Sequence, residues 1–217
     1  MLIKVGTFAV TALMALSGLA TLTVGSGLAL FTGQTSNTNN TFTSANCFPG
    51  NTGLRNPSAN AADSGGDNNG FELNPTFAYA DGGAPTSYAS NINGPADRHR
   101  YYNYNIAVNS NCAIKGIQVR LDWWLDSTTG TNSMSAQLSW NTGTSWTAAK
   151  ADTLETTSEH TGLLGGSADT WGRTWTVAQL SNANFRVRLT SNCTGGTCAN
   201  RDFSLDWVPV TIYYGPS

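Results

Sequence analysis

Thirteen carboxylates and two histidines are the side chains with which this chain of 217 residues could do acid–base chemistry. The carboxylates are scattered, and none of them forms a recognisable pair of general acid and general base. His99 lies between two arginines and is interpreted as the start of a surface strand. The chain also lacks the G-x-S-x-G, H-E-x-x-H and P-loop motifs. We therefore expect no catalytic activity, and a carboxylate pair assembled in space by the fold is the alternative left open.

A second candidate chemistry is metal binding. The segment from 63 to 72 reads DSGGDNNGFE and concentrates oxygen ligands around glycines. Calcium takes about six to eight oxygen ligands, which such loops supply from carboxylates, amides and carbonyls. The spacing does not match an EF-hand, and a polar turn before the first core strand is the alternative interpretation.

Aromatic side chains are the third candidate, because exposed rings stack on sugars. Trp123 and Trp124 are adjacent, so in a strand they point to opposite faces. One then belongs to the core, and Trp124, together with Tyr102, is the candidate for glycan stacking. Burial against a neighbouring subunit is the alternative role, and core packing accounts for most of the seven tryptophans.

The elements that must position these residues are strands. From Ile114 to Leu125 apolar and polar residues alternate, and the same alternation recurs around Leu138 and Val187. In the last strand the apolar positions change phase near Trp207-Val208, before Pro209, which indicates a bulge or a sheet edge. Short strands between Gly-, Asn- and Ser-rich turns predict a mainly β fold, an antiparallel β-sandwich of jelly-roll type.

Four cysteines predict two disulfides in an exported chain. Cys193 and Cys198 flank a Gly-Gly turn, and two strands at such a turn place them opposite each other. Cys47 and Cys112 are then left to pair. With only 11% charged residues and a net charge of −2, the chain gives no reason to expect nucleic acid as a partner.

The N-terminus is apolar from Val5 to Phe31, which is long enough for a helix to cross a bilayer. A cleaved secretory signal, a filament-core helix and a plain membrane anchor are three interpretations of this run. Residues 1–30 are therefore assigned to an apolar signal or helix with membrane contact, residues 31–46 to a polar strand or linker, and residues 47–217 to the disulfide-stapled sandwich.

Two short motifs resemble the ends of carbohydrate-binding modules of the galactose-binding-like type. The first is Asn69-Gly-Phe-Glu72, and the second is the closing strand that carries Asp206. The resemblance implies that Glu72 and Asp206 share a structural calcium, with Asp67 and Asn69 as further candidate ligands.

The junction between the apolar and polar segments resembles TasA/camelysin-type bacterial fibre proteins, through Phe31, Ser36 and Asn40-Thr41-Phe42. The aspartate usual after the phenylalanine is absent here. Type IV pilins are the rival family, although Val5 stands where their mature helix usually carries glutamate. Both resemblances imply a subunit that assembles through its N-terminal segment, by strand addition or by bundling of apolar helices. The side chains that would serve assembly are Val5, Leu13, Leu16, Leu22, Phe31 and Phe42.

We therefore expect a non-catalytic subunit of an extracellular bacterial filament, a pilus or matrix fibre, whose partners are copies of itself. The alternative is a monomeric, secreted or anchored surface module that binds glycans. In both cases the protein is exported through the membrane to the cell surface, and a structural calcium is the one cofactor expected.

Overall fold

The chain divides into two units, Met1–Ser44 and Ala45–Ser217. The computed structural model describes residues 35–37, 40–42, 47–82, 85–94, 96–196 and 198–217. In the first unit, strand β1 (Thr35–Asn37) pairs antiparallel with β2 (Asn40–Phe42). The predicted apolar helix lies outside the described residues, as do Val5, Leu13, Leu16, Leu22 and Phe31, whereas Phe42 ends β2.

The second unit contains two antiparallel sheets and confirms the predicted mainly β sandwich. The β7 sheet has six strands. Five follow the order β3-β13-β7-β12-β5, and the sixth, β10, pairs with β7 in addition. Its strands are β3 (Gly50–Asn51), β5 (Ala89–Ser90), β7 (Ala113–Leu125), β10 (His160–Gly165), β12 (Phe203–Trp207) and β13 (Val210–Gly215). The β11 sheet has five strands in the order β4-β6-β11-β8-β9. Its strands are β4 (Ala59–Asp63), β6 (Arg98–Tyr102), β8 (Thr131–Ser139), β9 (Lys150–Asp152) and β11 (Arg186–Thr194).

The core is formed by the faces of the two sheets that point toward each other. Successive side chains of a strand point to opposite faces, so the apolar residues of β7 that alternate along the sequence all lie inside. Ile117, Val119, Leu121 and Trp123 are each 0% exposed. Met134, Leu138, Val187 and Leu189 of β8 and β11 are equally buried. Trp123 stacks on Phe203, with ring centroids 6.0 Å apart.

A bulge interrupts the pairing of β12 with β7. Leu205 lies opposite Trp123 and Trp207 lies opposite Asp122, so Asp206 is the extra residue between them. The chain then continues through Pro209, whose carbonyl accepts the Arg120 N–H at 3.0 Å. The change of phase that the sequence shows near Trp207-Val208 therefore reflects a bulge and not a sheet edge, because β12 has β7 on one side and β5 on the other.

Both disulfides that the sequence predicts are present, Cys47–Cys112 and Cys193–Cys198. Gly195 and Gly196 form the turn with φ angles of 70° and 62°, which glycine adopts without a steric penalty. The local structure differs from the expected hairpin, since Cys193 lies in β11 whereas Cys198 begins a short 3-10 turn, Cys198–Asn200.

The expectation for His99 needs correction. His99 was interpreted as the start of a surface strand, but its side chain points into the core and the residue is 3% exposed. It is held as a neutral imidazole, because its Nδ1 accepts the Phe71 N–H at 3.0 Å and its Nε2 lies 2.9 Å from Asn60 Oδ1. After β10, a 3-10 turn, Val177–Leu180, precedes β11.

Among the residues described, the helical segments are short 3-10 turns, and none of them has the length and apolar character needed to span a bilayer.

Candidate functional site

The outer side of the β7 sheet carries a group of polar and aromatic residues that we call the acidic face. Alternation along β7 turns Arg120, Asp122 and Trp124 outward, away from the core. Thr161 of β10 lies opposite Asp122, and Ser204 of β12 lies opposite Trp124. The remaining members are contributed by loops and by the bulge: Asp81, Tyr88, Glu159, Asp206 and Trp207.

Asp122 and Arg120 form a bidentate ion pair at the centre of this face. Arg120 Nη2 lies 2.7 Å from Asp122 Oδ2, and Arg120 Nε donates to Oδ1 at 2.9 Å. Thr161 Oγ1 donates a further hydrogen bond to Oδ1 at 2.7 Å. The Arg120 guanidinium stacks 4.6 Å from the ring centroid of Trp207, and the hydrogen bond to Asp122 raises the pKa of Arg120. Both planar groups are therefore fixed in orientation.

Asp206 and Glu159 form the second polar pair of the acidic face. The bulge turns Asp206 toward the loop that precedes Tyr88, where the Gly82 N–H donates to both of its carboxylate oxygens at 3.2 Å. Glu159 is hydrogen-bonded to Asp206. Asp206 is 0% exposed, whereas Glu159 is exposed to solvent as a residue and its carboxyl group is buried only on the side that contacts Asp206.

These two carboxyl groups retain a proton to higher pH than isolated carboxyl groups do. Burial raises the pKa of both, that of Glu159 to about 7, and the negative charges of Asp122 and Asp81 act in the same direction. Two carboxylates within hydrogen-bond distance cannot both ionise without strong repulsion, so one of them holds a proton at acidic pH. Near neutral pH the pair releases that proton and becomes a stronger hydrogen-bond acceptor.

The two residues that the sequence proposed for glycan stacking lie on different sheets. Trp124 is on the acidic face but is only 8% exposed, because Tyr88 packs edge-on against it with the ring centroids 5.1 Å apart. Tyr102 is in β6 of the β11 sheet, and the Arg186 guanidinium covers its ring at 4.4 Å. They cannot form one platform, and neither ring is a free surface of the kind expected.

Glu72 and Asp206, the residues proposed for calcium, have different carboxylate neighbours. The carboxylates that raise the pKa of Glu72, after burial, are Asp67, Asp97 and Asp202. Those around Asp206 are Glu159, Asp81 and Asp122. No contact between Glu72 and Asp206 is seen among the described residues, and the pairing that the resemblance implies stays a prediction.

The loop group around Glu72 is internally hydrogen-bonded. Asp97, which is 0% exposed, accepts the Asp67 N–H at 3.1 Å and the Asn91 amide at 3.4 Å. Asp67 in turn accepts two hydrogen bonds from Asn69. Within the described ranges no three metal-ligating side chains converge closely enough to hold a metal ion. Calcium binding stays a prediction.

Sequence reasoning missed Glu159, Asp81, Arg120 and Asp122 as site residues. The alternation of β7 was recognised and placed Arg120 and Asp122 outward with Trp124, so this part of the signal was available. Glu159 precedes a strand that the sequence did not reveal, and its contact with Asp206 joins residues 47 positions apart by numbering.

No protein-family profile matches the chain, and no curated protein matches it. Several solved structures overlap with it, and three of them are compared with this chain. They are the CBM32 of AlyQ in complex with 4,5-unsaturated mannuronic acid, the CBM22-1–GH10 modules of the Clostridium thermocellum xylanase 10B complexed with xylohexaose, and the family 29 carbohydrate-binding module CBM29_1 from Piromyces equi.

The identities are 12%, 11% and 14%, and the TM-scores are 0.38, 0.32 and 0.31. The overlap covers 72%, 73% and 78% of this chain, and 96%, 26% and 92% of the other chains. All three structures include a carbohydrate-binding module, but overlaps at these scores carry no argument about function.

Proposed function

We propose that the second unit is an exported, non-catalytic carbohydrate-binding module that holds a neutral glycan on its acidic face. The observation that carries the proposal is the Glu159–Asp206 pair beside the Arg120–Asp122 pair on the outer side of one sheet, where Glu159 is exposed. The face combines planar polar groups in fixed orientations with the partly exposed ring of Tyr88, which packs on the buried ring of Trp124. Sugar-binding surfaces need that combination, because a sugar ring presents both hydroxyl groups and apolar C–H surface.

The charge of the face favours a ligand rich in hydrogen-bond donors. Among the described residues of the face, four carboxylates stand against one cation, Arg120; Asp81 and Glu159 are exposed, whereas Asp122 and Asp206 are buried. An anionic ligand would be repelled by this excess of negative charge. The hydroxyl groups of a neutral polysaccharide donate to such carboxylates through hydrogen bonds that are stronger than those between neutral groups.

The geometry of the pair argues against glycoside hydrolysis. Glycosidases that use two carboxyl groups hold them about 5 Å or more apart, so that the scissile bond and a water or covalent intermediate fit between them. Glu159 and Asp206 are hydrogen-bonded to each other, which is closer than that spacing allows. In a binding role both carboxyl groups lie on the same side of the ligand, so no space between them is needed.

Export to the outside of the cell suits a chain with two disulfides, since such bonds persist in oxidising surroundings. Assembly into a filament is a separate expectation from the N-terminal resemblance. Apart from β1 and β2, the segment that would carry it lies outside the described residues, so the filament role stays a prediction.

The proposal is tested by affinity electrophoresis against neutral polysaccharides of different backbones, with Asp81→Asn and Glu159→Gln as site variants at the exposed carboxylates of the face. We expect at least one polysaccharide to retard the wild-type protein, and each variant to weaken this binding about tenfold, the effect of losing about 1.4 kcal/mol of charge-assisted hydrogen bonding. Asp169→Asn is the matched control, because Asp169 pairs with Lys150 at 2.8 Å and not with the acidic face. Absence of binding to every neutral polysaccharide, or equal weakening by the control, would overturn the proposal.

A further inference from the structure

The outer side of the β11 sheet carries a second charged surface of opposite sign, which we call the arginine face. Its arginines are Arg98 and Arg100 in β6 and Arg186 and Arg188 in β11. In both strands they alternate with buried residues, so all four side chains point away from the core. Of the residues that the sequence predicted or the proposed function uses for binding, this surface includes only Tyr102.

The arginines are packed together without enough negative charge to neutralise them. Arg188 lies directly opposite Arg100 in the pairing of β11 with β6, an arrangement of like charges that destabilises a sheet. Within the described residues, Asp63 is the one carboxylate that ion-pairs with any of the four, at 3.4 Å from Arg188 and 3.9 Å from Arg100. Four positive charges less one negative charge leave a surplus of three, although the whole chain has a net charge of −2.

The guanidinium groups are held in place by groups that do not cancel their charge. Arg186 donates to the carbonyl oxygens of Asn182 and Ala183 at 2.7 and 3.0 Å and lies over Tyr102. Arg188 donates to Gln137 Oε1 at 2.7 Å and lies 4.1 Å from the ring centroid of Trp146.

The two remaining arginines are held in the same way. Arg98 donates to the Ser64 carbonyl and Arg100 to the Ala62 carbonyl, both at 3.2 Å. Because their positions are already fixed, an anion that binds these groups loses little affinity to the ordering of side chains.

From this arrangement we infer that the arginine face binds an acidic polysaccharide, one that carries carboxylate or sulfate groups. Guanidinium groups pair bidentately with such planar or multidentate anions.

Two other anionic partners fit the surface less well. Single-stranded nucleic acid needs free aromatic rings on which bases stack, but Tyr102 and Trp146 are covered by arginines. A second copy of the chain would have to offer a cluster of exposed carboxylates to four arginines, but on its acidic face Asp81 and Glu159 are exposed, whereas Asp122 and Asp206 are buried.

The inference goes beyond the proposed function, since it concerns the opposite sheet and a ligand of opposite charge. It would give the module two separate surfaces, one for neutral and one for acidic polysaccharide. The failure of either can be recognised independently of the other.

The test measures binding of the full chain to polygalacturonate, dextran sulfate and uncharged dextran by biolayer interferometry at about 50 and 200 mM salt. We expect one or both of the charged polymers to bind and uncharged dextran not to bind through this face, with weaker binding at high salt. The carboxylate polymer and the sulfate polymer separate the two sources of negative charge.

The site variants are Arg98→Gln and the double variant Arg98→Gln/Arg100→Gln. We expect the double variant to lose at least tenfold in affinity for the charged polymer and Arg98→Lys to recover part of the loss. Lys115→Gln is the matched control, because Lys115 is an exposed cation in β7 of the other sheet. Thermal melting and binding of neutral polysaccharide show that the variants are folded.

Three results would overturn the inference. The first is equal loss of affinity in Lys115→Gln and Arg98→Gln. The second is tighter binding of a single-stranded oligonucleotide than of either charged polysaccharide. The third is self-association in sedimentation velocity that the arginine variants abolish, which would assign the face to a second copy of the chain.

Discussion

At the scale of single residues, Glu159 links the acidic face to the pH dependence of stability. Burial raises its pKa to about 7, so between pH 4.5, the usual pKa, and pH 7 the folded protein keeps a proton that the unfolded chain releases. The favourable contribution is therefore complete below the usual pKa and is lost as the pH rises through the folded value.

We expect Glu159→Gln to remove the loss of stability at high pH, because the amide stays neutral and can still donate a hydrogen bond to Asp206. Its melting temperature should match that of the wild type at pH 5 and exceed it at pH 8 by about 2–4 °C, as measured by circular dichroism. Glu155→Gln is a control for which the pH dependence of stability should have the opposite sign. Hydrogen bonds from Asn132 lower the pKa of Glu155, so its carboxylate stabilises the fold at neutral pH and loses this effect at acidic pH. A Glu159→Gln melting curve that stays parallel to the wild type across this range would contradict the raised pKa of Glu159.

From the buried His99 we predict how the stability of the fold changes at acidic pH. Burial lowers its pKa to about 4, and Phe71 N–H occupies the nitrogen that would have to accept a proton. The unfolded chain binds that proton below pH 6.5, so stability should fall as the pH drops from 6.5 to 4, by on the order of 3 kcal/mol at most.

The measurement is urea denaturation of the wild type and His99→Gln at several pH values between 4 and 7. The variant should be less stable at pH 7, because it loses the hydrogen-bond acceptor for Phe71 N–H, but its stability should depend less on pH. A variant with the same slope as the wild type would show that His99 is not the buried group that titrates.

At the scale of elements, the two disulfides should differ in their effect on stability. Cys47–Cys112 joins residues 65 positions apart, and Cys193–Cys198 joins residues 5 apart. In the chain-entropy model a bridge stabilises by restricting the unfolded chain, by about 4 kcal/mol for the long loop and about 2 kcal/mol for the short one. We expect the double serine variant of Cys47 and Cys112 to unfold at lower urea concentration than the double serine variant of Cys193 and Cys198. The reverse order would mean that strain or residual structure outweighs loop entropy.

Regular elements were predictable where the alternation of apolar and polar residues is unbroken. β7 spans Ala113–Leu125, close to the predicted 114–125, because one of its faces is buried along the whole strand. β10 was not predicted, because its sequence HTGLLG places a glycine at a buried position and an exposed Leu163 beside it. The phase change in the last strand was visible, but the pairing with β7 is what identifies Asp206 as the bulged residue.

The candidate site was predictable only in part, because its residues come together through pairing between strands that are distant in the sequence. Trp124 and Asp206 were both noted, but the sequence paired Asp206 with Glu72, whereas the fold brings it to Glu159. Contacts between distant strands and loops depend on strand order, which local periodicity does not encode. The arginine face shows the same limit, since Arg98, Arg100, Arg186 and Arg188 become one surface through the pairing of β6 with β11.

At the scale of the whole second unit, charge is separated onto the two outer faces of the sandwich. The β7 sheet bears the Glu159–Asp206 pair, and the β11 sheet bears the arginines. A buried core between the sheets keeps the two groups apart, so they do not neutralise each other by direct pairing. This separation explains how a chain with a net charge of only −2 can present two strongly charged surfaces.

The most direct test of the central claim is isothermal titration calorimetry of the wild type and Glu159→Gln with an oligosaccharide of the best-binding neutral polysaccharide, at pH 5.5 and pH 8. Ionised Glu159 accepts stronger hydrogen bonds from sugar hydroxyls than the protonated pair does. The account therefore predicts that wild-type affinity rises several-fold between the two pH values, whereas the affinity of Glu159→Gln is lower at pH 8 and does not change with pH. Wild-type affinity that is independent of pH and equal to that of the variant would contradict the assignment of glycan binding to the acidic face.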